Sequence, residues 1–501
     1  MAEANPASSL PTTSEITTAR PAYDVAFLDD LLTEDESGKV IAGKTGTAAT
    51  IDSQALDAVV SEMCEFPEKK YAYLTNPPVA KRGPISSFCN FVGGRFNREP
   101  EHMVDTRTGL VTLSPTAQRI IRTCFTDISP EEIVDYHTHI IGHGEDTSGS
   151  TGCYLHPAMK SWKHPTQHLK GLVFLSACQV ADKHLGDLQF ISRLLRLNTN
   201  FVPSALLPVP SPYTFRHGHN CILAFDKLYT LAGEEDLAHT SLYVPNNYVL
   251  ELAKDSPGSF YPVGSVHPYR ADAIAELERC SSQGISIIKW LPNSQGIDPS
   301  SELCDPFYNK MVQLNLTLLI HTGYEHAVNF AYLNNAYGNP LLLRRPLNMG
   351  VRVIAAHVAT EGSSEDTESV PPKNVPCFDL LLRLMREEQY KQTLFADISA
   401  ITGFKRIPYL HRLLAATDIH SNLVYGSDYP IPAINIVVSV SKIVNAGLLT
   451  YQDGVCLKEI YNYNPLLFDF ILKRRLTGEN SQRFPVSVFK KHSKIPPFRP
   501  F

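Results

Sequence analysis

His137 and His139 lie two positions apart in VDYHTHIIGHG, directly after an acidic, β-branched run. Side chains two apart on a strand point to the same side, so both imidazoles can reach one ion. Alone, an HxH pair equally fits a strand end hydrogen-bonded to the next loop. Four more titratable residues add weight: Lys289 in SIIKWLPN, His321 in LLIHTG, His357 in IAAHVA and Asp428 in VYGSDYP, each at or near the C-terminal end of an apolar run. A buried Lys, His or Asp is costly unless it is paired or metal-bound. Imidazole and carboxylate are ordinary ligands of zinc and similar divalent ions. Such a set would do metal-assisted chemistry: the ion lowers the pKa of a bound water from about 16 to about 7 and polarises a carbonyl. Asp428 beside it could take the water's proton and pass it to the leaving group.

These residues need a scaffold that gathers strand ends. From about Glu131 to Asp428 short apolar runs alternate with amphipathic stretches: EEIVDYH, GLVFLSA, FYPVGSVH, GISIIKWL, LTLLIH, VRVIAAH, TLFADIS and NLVYGSD. Near-continuous apolar strands suit a parallel sheet covered on both faces. RADAIAELERCSS and CFDLLLRLMREEQY carry apolar residues at helical spacing. Eight strand–helix units predict an α/β fold, a (β/α)8 TIM barrel, whose functional face is the C-terminal end of the strands. Large insertions follow strands 1 and 2, the second spanning residues 178–259 and holding the Pro-rich FVPSALLPVPSPY and an expected helix near Ile222 to Leu231. EGSSEDTESVPPKNVP reads as an acidic, mobile loop.

Residues 1–130 form a long N-terminal extension outside the barrel pattern, with the first fifty or so reading as disordered. The barrel is expected over residues 131–476, ending in closing helices. Residues 477–501 form a basic, Pro-rich tail, an arm rather than a nucleic-acid patch.

HxH on the first strand, Lys on the fourth, His on the fifth, His on the sixth and Asp on the eighth resembles the amidohydrolase superfamily of metal-dependent barrels. LLIHTG, AAHVA and YGSDYP, with SVHPYRADAIAELERCSSQGISIIKWLP and IYNYNPLLFDF, are most similar to its amidohydrolase-2 branch. The resemblance covers roughly Glu131 to Leu476 and leaves out the first 130 residues and the long second loop. It implies that His137 and His139 hold a metal with Asp428 beside them. In one arrangement His321 completes a single-metal site and His357 acts as an acid or hydrogen-bond donor. In the other, Lys289 is carboxylated and bridges two ions, with His321 and His357 on the second. One ion is favoured, most simply zinc, with manganese or iron as alternatives. The implied reaction is hydrolysis of a C–N or C–O bond, in an amide, lactone or ester of a small molecule. The alternatives are non-oxidative decarboxylation of an aromatic or dienoic acid, and a barrel that binds ligand without turnover.

Around this set, His143 sits between two glycines past the first strand and is a candidate substrate contact. Trp290 and Tyr324 are candidates for stacking on a planar substrate; a core role fits each as well. His217 and His219 in RHGHN form a second HxH, better suited to a lid than to ligation. His267, ending the third run, could face the site. Arg344 and Arg345 could clamp a carboxylate, although a solvated position is favoured.

A net charge of −6 without long like-charge blocks argues against nucleic acid as partner. No apolar run reaches the roughly 18 residues of a membrane helix, and the N-terminus lacks a secretory core while leaving a weak organelle-targeting reading open. Ten scattered cysteines without a CxxC pair read as thiols of a reducing, cytoplasmic compartment. A small-molecule substrate is expected, and a homodimer is one assembly open to the chain.

Overall fold

The computed structural model describes residues 33–34, 40–41, 113–141, 151–165, 168, 191, 194, 197–198, 218–328, 331–434 and 437–496. Eight short parallel strands stand in chain order around one axis: β1 (Val134–His139), β2 (His219–Leu223), β3 (Phe260–Val263), β4 (Ile287–Trp290), β5 (Thr317–Ile320), β6 (Arg352–Ala355), β7 (Leu394–Asp397) and β8 (Leu423–Val424). β1–β2–β3 form one parallel ladder and β4–β5–β6–β7–β8 another. Two seams join them. At one, Gly264 bridges Ile288, and Lys289 N donates to Gly264 O at 2.7 Å. At the other, Thr138 bridges Tyr429, and Tyr136 N donates to Tyr425 O at 2.9 Å. The strand order is that of a TIM barrel.

Seven of the eight apolar runs supply the strand expected of them. The second strand is different. GLVFLSA falls outside the described residues, and HNCIL, within the stretch expected to be insertion, takes the place beside β1. The helix expected near Ile222 to Leu231 is therefore a strand end followed by irregular chain. Cys221 and Leu223 face the barrel interior, and a strand pattern this short is easily misassigned. The long connection after β1 reaches residue 218, and a shorter one after β2 carries helix α1 (Asn246–Asp255).

Alternation along the strands sorts the side chains. Val134, Tyr136, Cys221, Leu223, Val263, Ile287, Leu319, Ile354, Phe395 and Val424 form the inner core. Two residues further along, on the same face, stand Lys289, His321 and Asp397. The apolar layer is thus the floor of the functional site. The opposite parity faces the helices: α2 (Ala273–Ser282), α3 (Asp305–Gln313), α4 (Cys377–Arg386), α5 (Ile407–Ala415), α6 (Tyr451–Tyr463) and α7 (Pro465–Arg475). Asn464 ends α6 and caps α7, its side chain accepting from Leu466 N and Leu467 N, so the closing run is two helices.

Segments on both sides of the barrel strands pack on this body. Pro115–Cys124 is a helix whose Ile120, Ile121 and Cys124 are buried, and the neighbouring Phe125 stacks on Phe470 of α7. At the tail, Ile495 joins the inner core, and His492 N donates to the Tyr136 hydroxyl at 3.0 Å. EGSSEDTESVPPKNVP, expected to be mobile, is an antiparallel pair, Ser363–Asp366 with Lys373–Pro376. Arg383 pins it by a two-point contact with Asp366.

Candidate metal centre

Above the apolar floor, His137, His357 and Asp428 bring one donor atom each within 4.8 Å of one another. His139 joins them from the rim. Its Nε2 lies 3.3 Å from His137 Nε2 and 3.1 Å from Asp428 Oδ1, and His137 Nε2 lies 3.4 Å from that same oxygen. Ladder register breaks between Asp135 and Thr138, so His137 turns inward although Tyr136 already does.

The backbone at these strand ends is bent to present the ligands. His357, Val358 and Ala359 all have positive φ, at 59°, 48° and 48°, and Asp428 has 61°. Left-handed backbone costs a non-glycine residue of order 1–3 kcal/mol, and such strain gathers at functional sites. Gly426 answers a different need: a Cβ there would sit 2.8 Å from His137 Cβ and 3.0 Å from Ser399 Cβ. Only glycine lets β8 approach His137 this closely.

Two of the imidazoles are oriented from behind. His137 Nδ1 donates to Asp397 Oδ2 at 2.9 Å, which leaves Nε2 bare toward the site. Ser399 Oγ lies 2.7 Å from His357 Nδ1, and Asp397 Oδ1 accepts from His357 N at 2.9 Å. His321 packs against His357 with ring centroids 5.0 Å apart, but its Nε2 faces Tyr324 O at 3.3 Å and Glu325 Oε2 at 3.6 Å. Burial pushes His137 below the usual imidazole range with help from the Lys289 charge, and pushes His321 down to about 4 and His357 well down. All three are neutral at pH 7, the form that ligates metal. Burial alone would raise the two carboxyls, yet Asp397 and Asp428 stay well below the carboxylate range because their imidazole neighbours favour the charged form. Lys289, fully buried, has its Nζ 3.3 Å from His137 Nε2, and burial lowers its pKa to about 8.

Of the expected set, His137, His139, His357, Asp428 and Lys289 meet here. His321 lines the same wall with its Nε2 turned to Glu325. His143 lies outside the described residues. Trp290 requires correction: it is fully buried, packs on Phe307 and Tyr308, and donates Nε1–H to Val266 O at 2.8 Å. It points to the helix layer because its neighbour Lys289 points to the axis. Tyr324 stands on the functional face with its ring against Gly362. His219 opens β2, at the end of the barrel away from the ligands, while His267 is buried against Gln295 O at 2.8 Å. Arg344 is held by Glu368 and Glu387, and Arg345 by Asp305. The sequence reading passed over Asp397, Ser399 and Glu325. Asp397 carried a legible signal, since it ends the apolar run TLFADIS as the metal candidates end theirs.

The residues fit a divalent cation: N and O donors of His137, His139, His357 and Asp428 converge, and hydrogen bonds from behind orient His137 and His357. A family model described as Amidohydrolase matches residues 228–435. No curated protein matches the chain. Among solved structures, the chain is similar to an uncharacterised TIM-barrel protein of Bordetella bronchiseptica at 13% identity, covering 61% of this chain and 88% of that one with a TM-score of 0.39. A Pseudomonas putida protein assigned as a 2-pyrone-4,6-dicarboxylic acid hydrolase gives 15% identity, 68% and 98% coverage and a TM-score of 0.36. A 5-carboxyvanillate decarboxylase of Sphingomonas paucimobilis gives 10% identity, 61% and 92% coverage and a TM-score of 0.30. The matched segment carries Lys289, His321, His357, Asp397 and Asp428 on five successive barrel strands or the turns that follow them, and it is this segment that is similar to the amidohydrolase family.

Proposed function

We propose that the chain is a metal-dependent hydrolase of a C–N or C–O bond in a small molecule, with one divalent ion, zinc in the first instance. One observation carries this reading: the Nε2 atoms of His137 and His139 and Oδ1 of Asp428 lie 3.1 to 3.4 Å apart, as donors sharing one ion would. His137, His139 and Asp428 would hold the ion, with His357 or His321 completing the set. When bound, the ion supplies Lewis acidity and an activated water. Asp428, ionised and on the functional face, accepts a proton and returns it to the leaving group. Asp397 and Ser399 keep two imidazoles in the ligating tautomer. Lys289 remains an amine, and Tyr324 borders the entrance.

Metal analysis of the purified protein tests this directly. About one ion per chain is expected, with loss of that ion in His137→Ala; a variant that kept its metal would sink the assignment. Oxygen-18 from water should enter the product. Carbon dioxide release without that label would replace hydrolysis by decarboxylation.

A further inference from the structure

The segment after β7 turns over the site from Asp397 to Arg406, where α5 begins. It holds two polar side-chain atoms that are buried without a hydrogen-bond partner among the described residues, Arg406 Nη1 and Thr402 Oγ1. The first is the more telling, because guanidinium N–H groups are obligatory donors and burying one unmet is expensive. Arg406 is not merely a surface cation. Its side chain is 12% exposed, and Nη2 forms an ion pair with Glu361 Oε2 at 3.1 Å. Glu361 is itself shared, with His326 Nε2 at 3.0 Å. One arm of the guanidinium is therefore anchored and the other is idle. The anchor comes from the turn after β6 that also carries His357, so Arg406 is fixed to the wall of the metal centre. Arg344 and Arg345, the arginines that the sequence put forward for a carboxylate, are spent on Glu368, Glu387 and Asp305.

We propose that Arg406 is the substrate-anion subsite of this centre, its idle Nη1 binding a carboxylate of the substrate, so that the substrate class is a small carboxylic acid. The planar guanidinium donates in a fixed fork suited to carboxylate. Thr402 supplies a second donor on the same turn. This inference rests on the reading of the site as a metal-dependent enzyme, and goes beyond it by naming the charge its substrate carries.

The test is calorimetric titration of the full-length, metal-loaded protein with acetate, benzoate and glutarate, each against its amide. Metal content is measured on every sample. Wild type should prefer at least one acid over its amide by about tenfold or more, the scale of one charge-assisted hydrogen bond. Arg406→Gln should lose that preference while keeping its metal, and Arg406→Lys should keep part of it. A preference that survives unchanged in Arg406→Gln belongs to the ion and overturns the proposal; so does a wild type that treats acids and amides alike. Should Arg406→Gln fail to melt like wild type, Arg406→Lys decides, because an unchanged preference there removes the need for the fork. Loss of metal from wild type would instead strike at the hydrolase reading.

Discussion

His137 does little by itself until Asp397 fixes it. The carboxylate accepts a hydrogen bond from Nδ1–H and leaves the Nε2 lone pair facing the site. Removing that partner keeps the imidazole but frees its tautomer, so Asp397→Asn should weaken metal affinity by about 10–100-fold. A chelator competition titration reads this; unaltered affinity would show that Asp397 is a core carboxylate and no more. Trp290 makes the opposite case. Because it faces the helices, Trp290→Phe should cost about 2 kcal/mol of stability, from a cavity and an unmet Val266 carbonyl. Affinity for any ligand of the site should stay as in wild type, and a fall in ligand affinity at unchanged melting temperature would put the indole in the pocket after all.

Among the elements, β1, β8 and α7 share a buried polar network just beneath the ligands. Asp135 Oδ1 accepts from His137 N at 3.0 Å and Ser427 N at 2.9 Å, holding two ligand-bearing segments together. Lys473 of α7 donates to Gly426 O at 2.8 Å and to Asp469 Oδ2 at 2.7 Å. Burial lifts Asp469 to about 6, against about 3.9 in an unfolded chain. The folded state therefore binds the extra proton between those values. Its contribution to stability is full below about pH 3.9 and is lost as pH rises through about 6. Asn carries no such proton, so Asp469→Asn should flatten the pH dependence of stability in urea in that window by about 3 kcal/mol. It should also destabilise the fold at pH 7 by leaving Lys473 without its partner. An unchanged slope between pH 4 and pH 6 would assign the titration elsewhere.

Across the whole molecule, the barrel is closed below by its own tail. Ile495 sits in the inner core beneath Tyr136 and Phe395, and the His492 ring lies 4.7 Å from that of Phe395. Burying one such aliphatic side chain is worth about 2 kcal/mol. Ile495→Asp should therefore lower the melting temperature by several degrees, with about 3 kcal/mol lost to a buried charge. Thermal unfolding at neutral pH checks it, and an unshifted transition would mean that the tail is dispensable. Among the described residues no helix is long and apolar enough to cross a membrane. The Pro115–Cys124 helix packs on the last two helices of the barrel, so we propose that the folded unit begins before residue 130.

What the sequence determined by itself was periodic and local. Apolar runs of strand length set seven of the eight strands, and a titratable residue closing each run marked Lys289, His321, His357 and Asp428, since few other arrangements tolerate a charge there. Parity was legible too, and it assigns Trp290 to the outside once Lys289 is placed inside. Tertiary structure alone decided the rest. Whether HNCIL or GLVFLSA pairs with β1 depends on a ladder between segments some eighty residues apart. Asp397 gains its role only when β7 meets β1, 260 positions away in the chain. Arg406 differs from Arg344 and Arg345 in nothing the sequence records; the folded chain gives each of those two a bidentate carboxylate partner and, among the described residues, leaves one arm of Arg406 with none. Spacing reports which face of its own element a residue occupies, whereas its partners come from other elements, and only the closing of the barrel brings those together.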